Sequence, residues 1–158
     1  HGVDVGNRWI EIADKAEQRI GDCLSVFTLP HWMMALAATG RGEAARRMLA
    51  GMRDFAAGNG IIARLVGEIG VPLCEAVLAH GQGRFADAVA LMRPLLGDLY
   101  QLGGSHAQQD VLAQLYLDAA LKAGLRDDAR LLVERAAGQN PVPPQRRRGY
   151  AMALDWLA

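Results

Sequence analysis

Aromatic and β-branched residues are scarce in this sequence of 158 residues. Aromatic residues make up 6% of the chain, and valine, isoleucine and threonine together number 18, against 48 alanines and leucines. Strands draw on β-branched and aromatic residues, whereas alanine and leucine favour helices. The composition therefore excludes a mainly β fold and predicts an all-α protein of one domain, residues 1–158.

The chain also lacks an excess of either charge. Its 17 basic and 17 acidic side chains cancel, which argues against binding nucleic acid or a membrane surface through bulk charge. The one basic run, Arg146-Arg147-Arg148, is interpreted as a solvated face. The longest run without a charged residue, residues 23–40, contains Pro30 and His31 near its middle. We therefore expect a buried core helix with its entry loop there, not a membrane span.

Cysteine is rare as well. Cys23 and Cys74 stand 51 residues apart in apolar surroundings, which predicts buried free thiols and a reducing, cytoplasmic location. His31 and His80 have no other ligand at metal-site spacing on a shared helix, so no metal is expected. The sequence has no nucleophile elbow, P-loop or dinucleotide fingerprint. We therefore expect no cofactor, and an enzyme is the less favoured class.

The first residues lack two signals. No basic segment is followed by an apolar one, as in a secretion signal, and there is no initiator methionine. We therefore expect an excised part of a longer protein. Trp9, Ile10, Ala13 and Ile20 follow at helical spacing. Because a repeat unit buries its apolar face only against a neighbour, this end is predicted to expose apolar surface or to self-associate.

What the sequence does contain is a repeat. A glycine followed five positions later by an alanine occurs three times, at Gly40-x4-Ala45, Gly83-x4-Ala88 and Gly124-x4-Ala129. The alanines are 43 and 41 residues apart, and small or apolar residues follow each one along a helical face. Since the glycine ends a preceding helix, the unit is a helical hairpin. The pattern predicts stacked antiparallel hairpins, with Ala88 and Ala129 buried where helices cross.

Several local features modify this plan. The run Gly81-Gln82-Gly83 predicts a stretched turn that displaces the first helix of the second unit by two residues. Pro72, which follows Gly70, predicts a fresh helix, and Pro94 predicts a kinked or interrupted one. A last apolar stripe over residues 150–157 completes a fold of seven or eight helices.

The segment 103–110, Gly-Gly-Ser-His-Ala-Gln-Gln-Asp, contains the candidate chemistry. Ser105 and Gln108 have the spacing of a capping box. The pair Gly103-Gly104 lets the backbone turn into that cap, although a helix start beside glycines can also hold a carboxylate or phosphate. His106 and Asp110 share a helical face, where a local or inter-helix hydrogen bond is favoured over a catalytic pair.

Residues 110–143 resemble the tetratricopeptide repeat, with Gly124 in the turn, Ala129 and Ala136 in the second helix, and Pro141 twelve residues after Ala129. The other units depart from that 34-residue repeat. The segment 103–110 resembles the GGSHAQ-type signature of the tetratricopeptide repeat protein 38 family, with Gln109 in place of a basic residue. Residues 71–73 and 85–89 also resemble the C-terminal half of that family. The resemblance implies a right-handed stack of helical hairpins without an assigned reaction.

In such stacks the first helix of each hairpin lines the concave side. The repeat register places Glu75, Gln114 and Asp118 on that side with Glu68 beside them, which predicts a mildly acidic groove for a basic or polar peptide. We therefore expect a protein-interaction or scaffold module with a protein or peptide partner.

One alternative stays open at the start of the helix that follows Gly103-Gly104. A non-metal enzyme or a small-anion-binding domain would use this helix N-terminus, with its chemistry around Ser105, His106 and Asp110. The state of His106 discriminates between the two readings, because a catalytic histidine lies open in a pocket with a second titratable group.

Overall fold

The computed structural model describes residues 5–139 and 142–158. This part of the chain is helical and contains no strand, which confirms the all-α class. Residues Val66–Gly70 form a π-helical turn that joins the helices Ile61–Leu65 and Val71–Gly81 into one rod, so the described residues form eight separate helices. The α-helices are α1 Arg8–Gln18, α2 Leu29–Ala38, α3 Gly42–Ala56, α4 Ile61–Leu65, α5 Val71–Gly81, α6 Phe85–Met92, α7 His106–Lys122, α8 Arg126–Gln139 and α9 Arg148–Leu157.

Three hairpins, α2 with α3, α5 with α6 and α7 with α8, share one turn. Each turn places its glycine in the left-handed region, with φ of 69° at Gly40, 76° at Gly83 and 72° at Gly124. The residue after each glycine donates its N–H to a carbonyl five residues back, over 2.9 Å in all three turns. This Schellman arrangement satisfies the last carbonyls of the first helix and begins the second helix at once.

The stretched second turn expected from Gly81-Gln82-Gly83 is wrong. Helix α5 ends two residues before its glycine, as α2 and α7 do. Gly81 therefore belongs to the helix, where a Cβ atom would lie 2.7 Å from Ala37 Cβ on α2. Without the two-residue displacement, Glu75 occupies the register position of Tyr116 and not that of Gln114.

The repeated alanines confirm the predicted hairpin packing. Ala45, Ala88 and Ala129 are each 0% exposed and belong to the hydrophobic core. Each lies on the second helix of its hairpin, five residues after the turn glycine. A methyl group at this position lets the two helices approach closely.

Helix α5 lies at the centre of the molecule. It packs against α2, α3, α6 and α7, and no residue from Val71 to His80 is fully exposed. Helix α1 packs on α2, while α9 packs on α7 and α8. The first helices α2, α5 and α7 thus neighbour one another in chain order. Cys23 and Cys74 are buried and unpaired, as predicted.

Prolines shape two irregular segments. Pro72 does not begin a separate helix, because the helical rod runs on through the π turn, in which Val71 N–H donates to the Val66 carbonyl. The wider turn accommodates a residue that has no N–H of its own. Pro94 does interrupt its helix, since α6 ends at Met92 and a 3₁₀ turn, Arg93–Leu95, follows. Pro141, marked by the repeat spacing, lies outside the described residues.

Candidate functional site

A cleft of about 470 Å³ opens between α7, α8, the start of α9 and the segment 96–100. The segment 96–100 forms part of its wall, because Pro94 ends the α6 helix and the chain continues in two 3₁₀ turns. Predicted and unpredicted residues meet in this cleft. It is lined by Leu96, Gly97, Leu99, Tyr100, His106, Gln109, Asp110, Ala113, Leu132, Arg135, Ala136, Arg147 and Tyr150.

The capping box at the start of α7 is confirmed. Gln108 N–H donates to Ser105 Oγ over 3.4 Å, and Ser105 N–H donates to Gln108 Oε1 over 2.9 Å. Gly103 and Gly104 both have φ of 83°. A Cβ atom on Gly104 would overlap the Phe27 ring, so a larger residue here would have to displace that ring. The sequence features around Ser105 thus have a structural use in shaping and capping the helix start.

Asp110 is the centre of a hydrogen-bond network in the cleft wall. Arg147 pairs with its Oδ1, Tyr150 Oη donates to the same oxygen over 2.7 Å, and Gln114 Nε2 donates to Oδ2 over 2.6 Å. Burial by itself would raise the pKa of Asp110, but these donors hold that pKa below its ordinary value. The network fastens α9 to α7.

Arg147 corrects one sequence interpretation. The sequence predicts a solvated face for the basic run, and Arg146 and Arg148 are exposed. Arg147 instead turns inward, pairs with Asp110 and stacks over the Tyr150 ring, with its guanidinium carbon 4.1 Å from the ring centre. Only the convergence of α7 and α9 reveals this role, since 37 residues separate the two partners.

His106 lies open on the cleft wall, and Asp110 and Arg147 line the same cleft. Among the described residues, Ser105, His106 and Asp110 share no side-chain hydrogen bond: Ser105 caps the helix, and Asp110 is held by other donors. His106 therefore meets the condition stated for the enzyme alternative, an open histidine in a pocket with a second titratable group, although no triad is assembled among the described residues.

The residues predicted for the concave side all have partners. Glu75 pairs with Arg53, and Glu68 lies 3.6 Å from Arg64. Gln114 bonds to Asp110 in the network described above. Each predicted carboxylate therefore has a cationic or imidazole neighbour, which compensates the acidity that the sequence predicts for this side.

Asp118 joins two of the first helices. His80 Nε2 on α5 donates to Asp118 Oδ2 over 2.6 Å, and Lys122 Nζ lies 2.8 Å from the same oxygen. The His80 hydrogen bond, opposed by burial and helped by Lys122, lowers the pKa of Asp118 to about 2. Lys122 and His80 both contact the Phe85 ring, so the pair is part of a packed cluster.

Sequence reasoning missed a second network, in which the exposed Arg93 covers a buried carboxylate. Arg93 donates two hydrogen bonds of 2.8 Å to the carboxylate of Asp128, which also accepts one from Tyr116 Oη. Asp128 is 8% exposed. The hydrogen bonds from Arg93 hold the pKa of this carboxyl group below its ordinary value, although burial opposes them. Burial and the bond to Asp128 raise the pKa of Tyr116 to about 12. The network holds the diverted 93–95 segment against α7 and α8.

Within residues 5–139 and 142–158, no three histidine, cysteine or acidic side chains lie close enough together to hold a metal ion. None of the described helices is both long and apolar enough to cross a membrane. No model of a known protein family matches the chain, and no solved structure matches it.

Proposed function

We propose that this chain is a helical-repeat module of tetratricopeptide type that binds a protein or peptide on the surface formed by α2, α5 and α7. The observation that carries the proposal is the threefold use of one hairpin, with equal turns and equally buried alanines. Repeated hairpins of this kind stack into right-handed arrays whose first helices line one extended surface. The resemblance to the tetratricopeptide repeat protein 38 family supports the same reading.

The central helix of this surface reaches solvent through a narrow stripe. Pro72, Glu75 and Leu78 are half-buried at spacings of three residues, while the residues between them are buried. Such a stripe offers an apolar contact with one carboxylate in it. Helices α2 and α7 both contact α5, and Arg53, the ion-pair partner of Glu75, lies on α3. An extended or helical peptide laid along these helices would contact alternating apolar and polar side chains.

A basic partner would bind this surface by taking the place of the arginines that pair with its carboxylates. Glu68, Glu75 and Asp118 all contribute carboxylates, and the cations beside Glu68 and Glu75 belong to exposed arginines. Ion pairs at such exposure stabilise a protein by about 0 to 1 kcal/mol. A basic side chain of the partner can therefore replace Arg53 at Glu75 with little loss of folding stability.

Binding of the intact chain to arrays of basic, neutral and acidic peptides tests this proposal. Glu75→Lys should weaken binding of the selected peptides about fivefold or more, which corresponds to about 1 kcal/mol of lost Coulomb attraction. Glu43→Lys is the matched control, because Glu43 is also paired with an arginine but lies on α3. Asp118 is unsuitable for this comparison, since its replacement also removes the bond from His80.

The proposal fails if no peptide class is selected over the others, or if the Glu43 and Glu75 variants lose binding equally. Thermal unfolding of both variants accompanies the binding measurements. Each should keep its unfolding free energy within about 1 kcal/mol of the unmodified chain, because each variant breaks an ion pair with an exposed arginine.

A further inference from the structure

The cleft between α7, α8 and α9 has the form of a small-molecule site. Its volume of about 470 Å³ lies within the range of roughly 300 to 1,000 Å³ that is usual for such sites. Most of its wall is apolar and rigid, because it is part of the hydrophobic core or packs on it. The apolar lining comes from Leu96, Leu99, Ala113, Leu132 and Ala136.

Most polar side chains in the wall already have partners within the protein. Asp110 accepts from Arg147, Tyr150 and Gln114. Gln109 donates its side-chain amide to the carbonyls of residues 103 and 104, over 3.0 and 3.4 Å. These side chains shape the cleft, but their hydrogen bonds are made to other residues of the protein.

Arg135 is different. In the part of the chain that the structure describes, three arginines are half-buried: Arg41, Arg135 and Arg147. Arg41 pairs with two carboxylates of α1, and Arg147 pairs with Asp110. The guanidinium of Arg135 has no acidic or hydrogen-bonding partner among the described residues, although it lines the cleft. A half-buried cation without a counter-charge has a strong affinity for an anion.

The charges of the cleft wall also favour an anionic ligand. Arg135 and Arg147 contribute two positive charges, and Asp110 contributes one negative charge that Arg147 already compensates. His106 adds an exposed imidazole that can donate a hydrogen bond. Tyr100, which is 66% exposed, adds an aromatic ring at the mouth of the cleft.

We propose that this cleft binds a small organic carboxylic acid, with the carboxylate paired to Arg135 and an apolar body placed against the leucine and alanine wall. A guanidinium presents two parallel donors that match a carboxylate. The apolar wall favours a hydrocarbon body and disfavours a fully hydrated anion such as inorganic phosphate. The cleft shares α7 with the α2, α5 and α7 surface, but Arg135 lies on α8, and the proposal does not depend on peptide binding at that surface.

Calorimetric titration of the intact chain with phenylbutyrate tests the charge requirement. Phenylbutanol has the same apolar body without the charge, and inorganic phosphate has the charge without the body. We expect phenylbutyrate to bind at least tenfold more tightly than either compound. Equal binding of phenylbutanol, or displacement of phenylbutyrate by phosphate at equal concentration, would overturn the proposal.

Two variants locate the site. Arg135→Gln should weaken phenylbutyrate binding by about 10- to 100-fold, the usual range for a charge-assisted hydrogen bond. Arg130→Gln on the same helix is the control, because Arg130 is exposed, lies beside Asp127 and does not line the cleft. The same loss in both variants would contradict the assignment to Arg135.

A blocking variant separates filling of the cleft from loss of charge. A Cβ atom on Gly97 meets no atom within 4 Å, so Gly97→Phe can be introduced without a backbone clash. It should abolish phenylbutyrate binding while the circular dichroism spectrum stays unchanged. Unchanged binding in this variant would place the ligand elsewhere and overturn the proposal. Binding of a peptide with a C-terminal leucine, without binding of phenylbutyrate, would equally reject a free acid as the ligand.

Discussion

Asp118 is a single residue whose pKa is lowered by a hydrogen bond from another helix. The hydrogen bond from His80 is the largest cause of its low pKa, about 2 against an ordinary value of 3.8. Because the folded chain holds the ionised form more strongly, this residue stabilises the fold above pH 4. That contribution is lost as the pH falls from about 4 toward 2.

Asp118→Asn is therefore expected to flatten the dependence of the unfolding free energy on pH between about 2 and 4. The measurement is urea denaturation at a series of pH values. Asp127→Asn serves as the control, because the Asp127 side chain is 99% exposed. An identical slope for Asp118→Asn and the unmodified chain would show that the bond to His80 does not persist in solution.

Ser105 is a second residue whose contribution can be measured alone. Its hydroxyl accepts the N–H of Gln108, so Ser105→Ala should lower the unfolding free energy by about 0.5 to 2 kcal/mol. Ser105→Asp should be tolerated, because aspartate is an equally good N-cap. Ser25→Ala is a matched control, since Ser25 precedes a 3₁₀ turn without a side-chain cap bond. If Ser105→Asp were more destabilising than Ser105→Ala, the hydroxyl would have a role other than capping.

At the scale of the helical element, the hairpin depends on a small residue at one place. Ala88 and Ala129 have no exposed surface, so a larger side chain must displace neighbouring atoms. Ala88→Phe or Ala129→Phe should lower the unfolding free energy by about 1 to 3 kcal/mol through overpacking.

Exposed alanines on the same helices supply the controls for this measurement. Ala90 on α6 and Ala137 on α8 face solvent. Ala90→Phe and Ala137→Phe should therefore change the unfolding free energy by less than about 0.5 kcal/mol in chemical denaturation. Similar losses at the buried and exposed positions would remove the basis of the repeat register.

At the scale of the whole molecule, helix α1 leaves part of its apolar side uncovered. Ala13 and Ala16 are buried, whereas Trp9 and Ile10 are 36% and 47% exposed. This confirms the exposed apolar surface that the sequence predicts at this end. Self-association through this surface remains a prediction. We expect it because stacked repeats bury such faces against a neighbour.

Sedimentation at increasing protein concentration measures that self-association. The unmodified chain should show concentration-dependent association, and the double variant Trp9→Ser, Ile10→Ser should reduce it. Ile61→Ser is the control, because Ile61 is an exposed isoleucine at a different place in the fold. A monomer at all concentrations, together with no binding of an apolar-surface dye, would contradict the prediction.

Features that depend on neighbouring residues could be predicted from the amino-acid sequence. Positive φ at Gly124, the helical period after Ala129 and the cap at Ser105 follow from steric and hydrogen-bonding preferences that act within one or two turns. The interruption at Pro94 is equally local, since the residue lacks an N–H. These preferences made the all-α class and the three hairpins predictable.

The contacts between distant side chains could not be predicted in this way. Arg147 pairs with Asp110 across 37 residues, and Arg93 pairs with Asp128 across 35. The three hairpin turns have the same length, so the two-residue shift predicted for the helix that contains Glu75 is absent. The cleft beside Arg135 exists because α7, α8, α9 and the diverted segment 96–100 converge there. Such pairings depend on packing between distant segments, and local sequence preferences do not specify them.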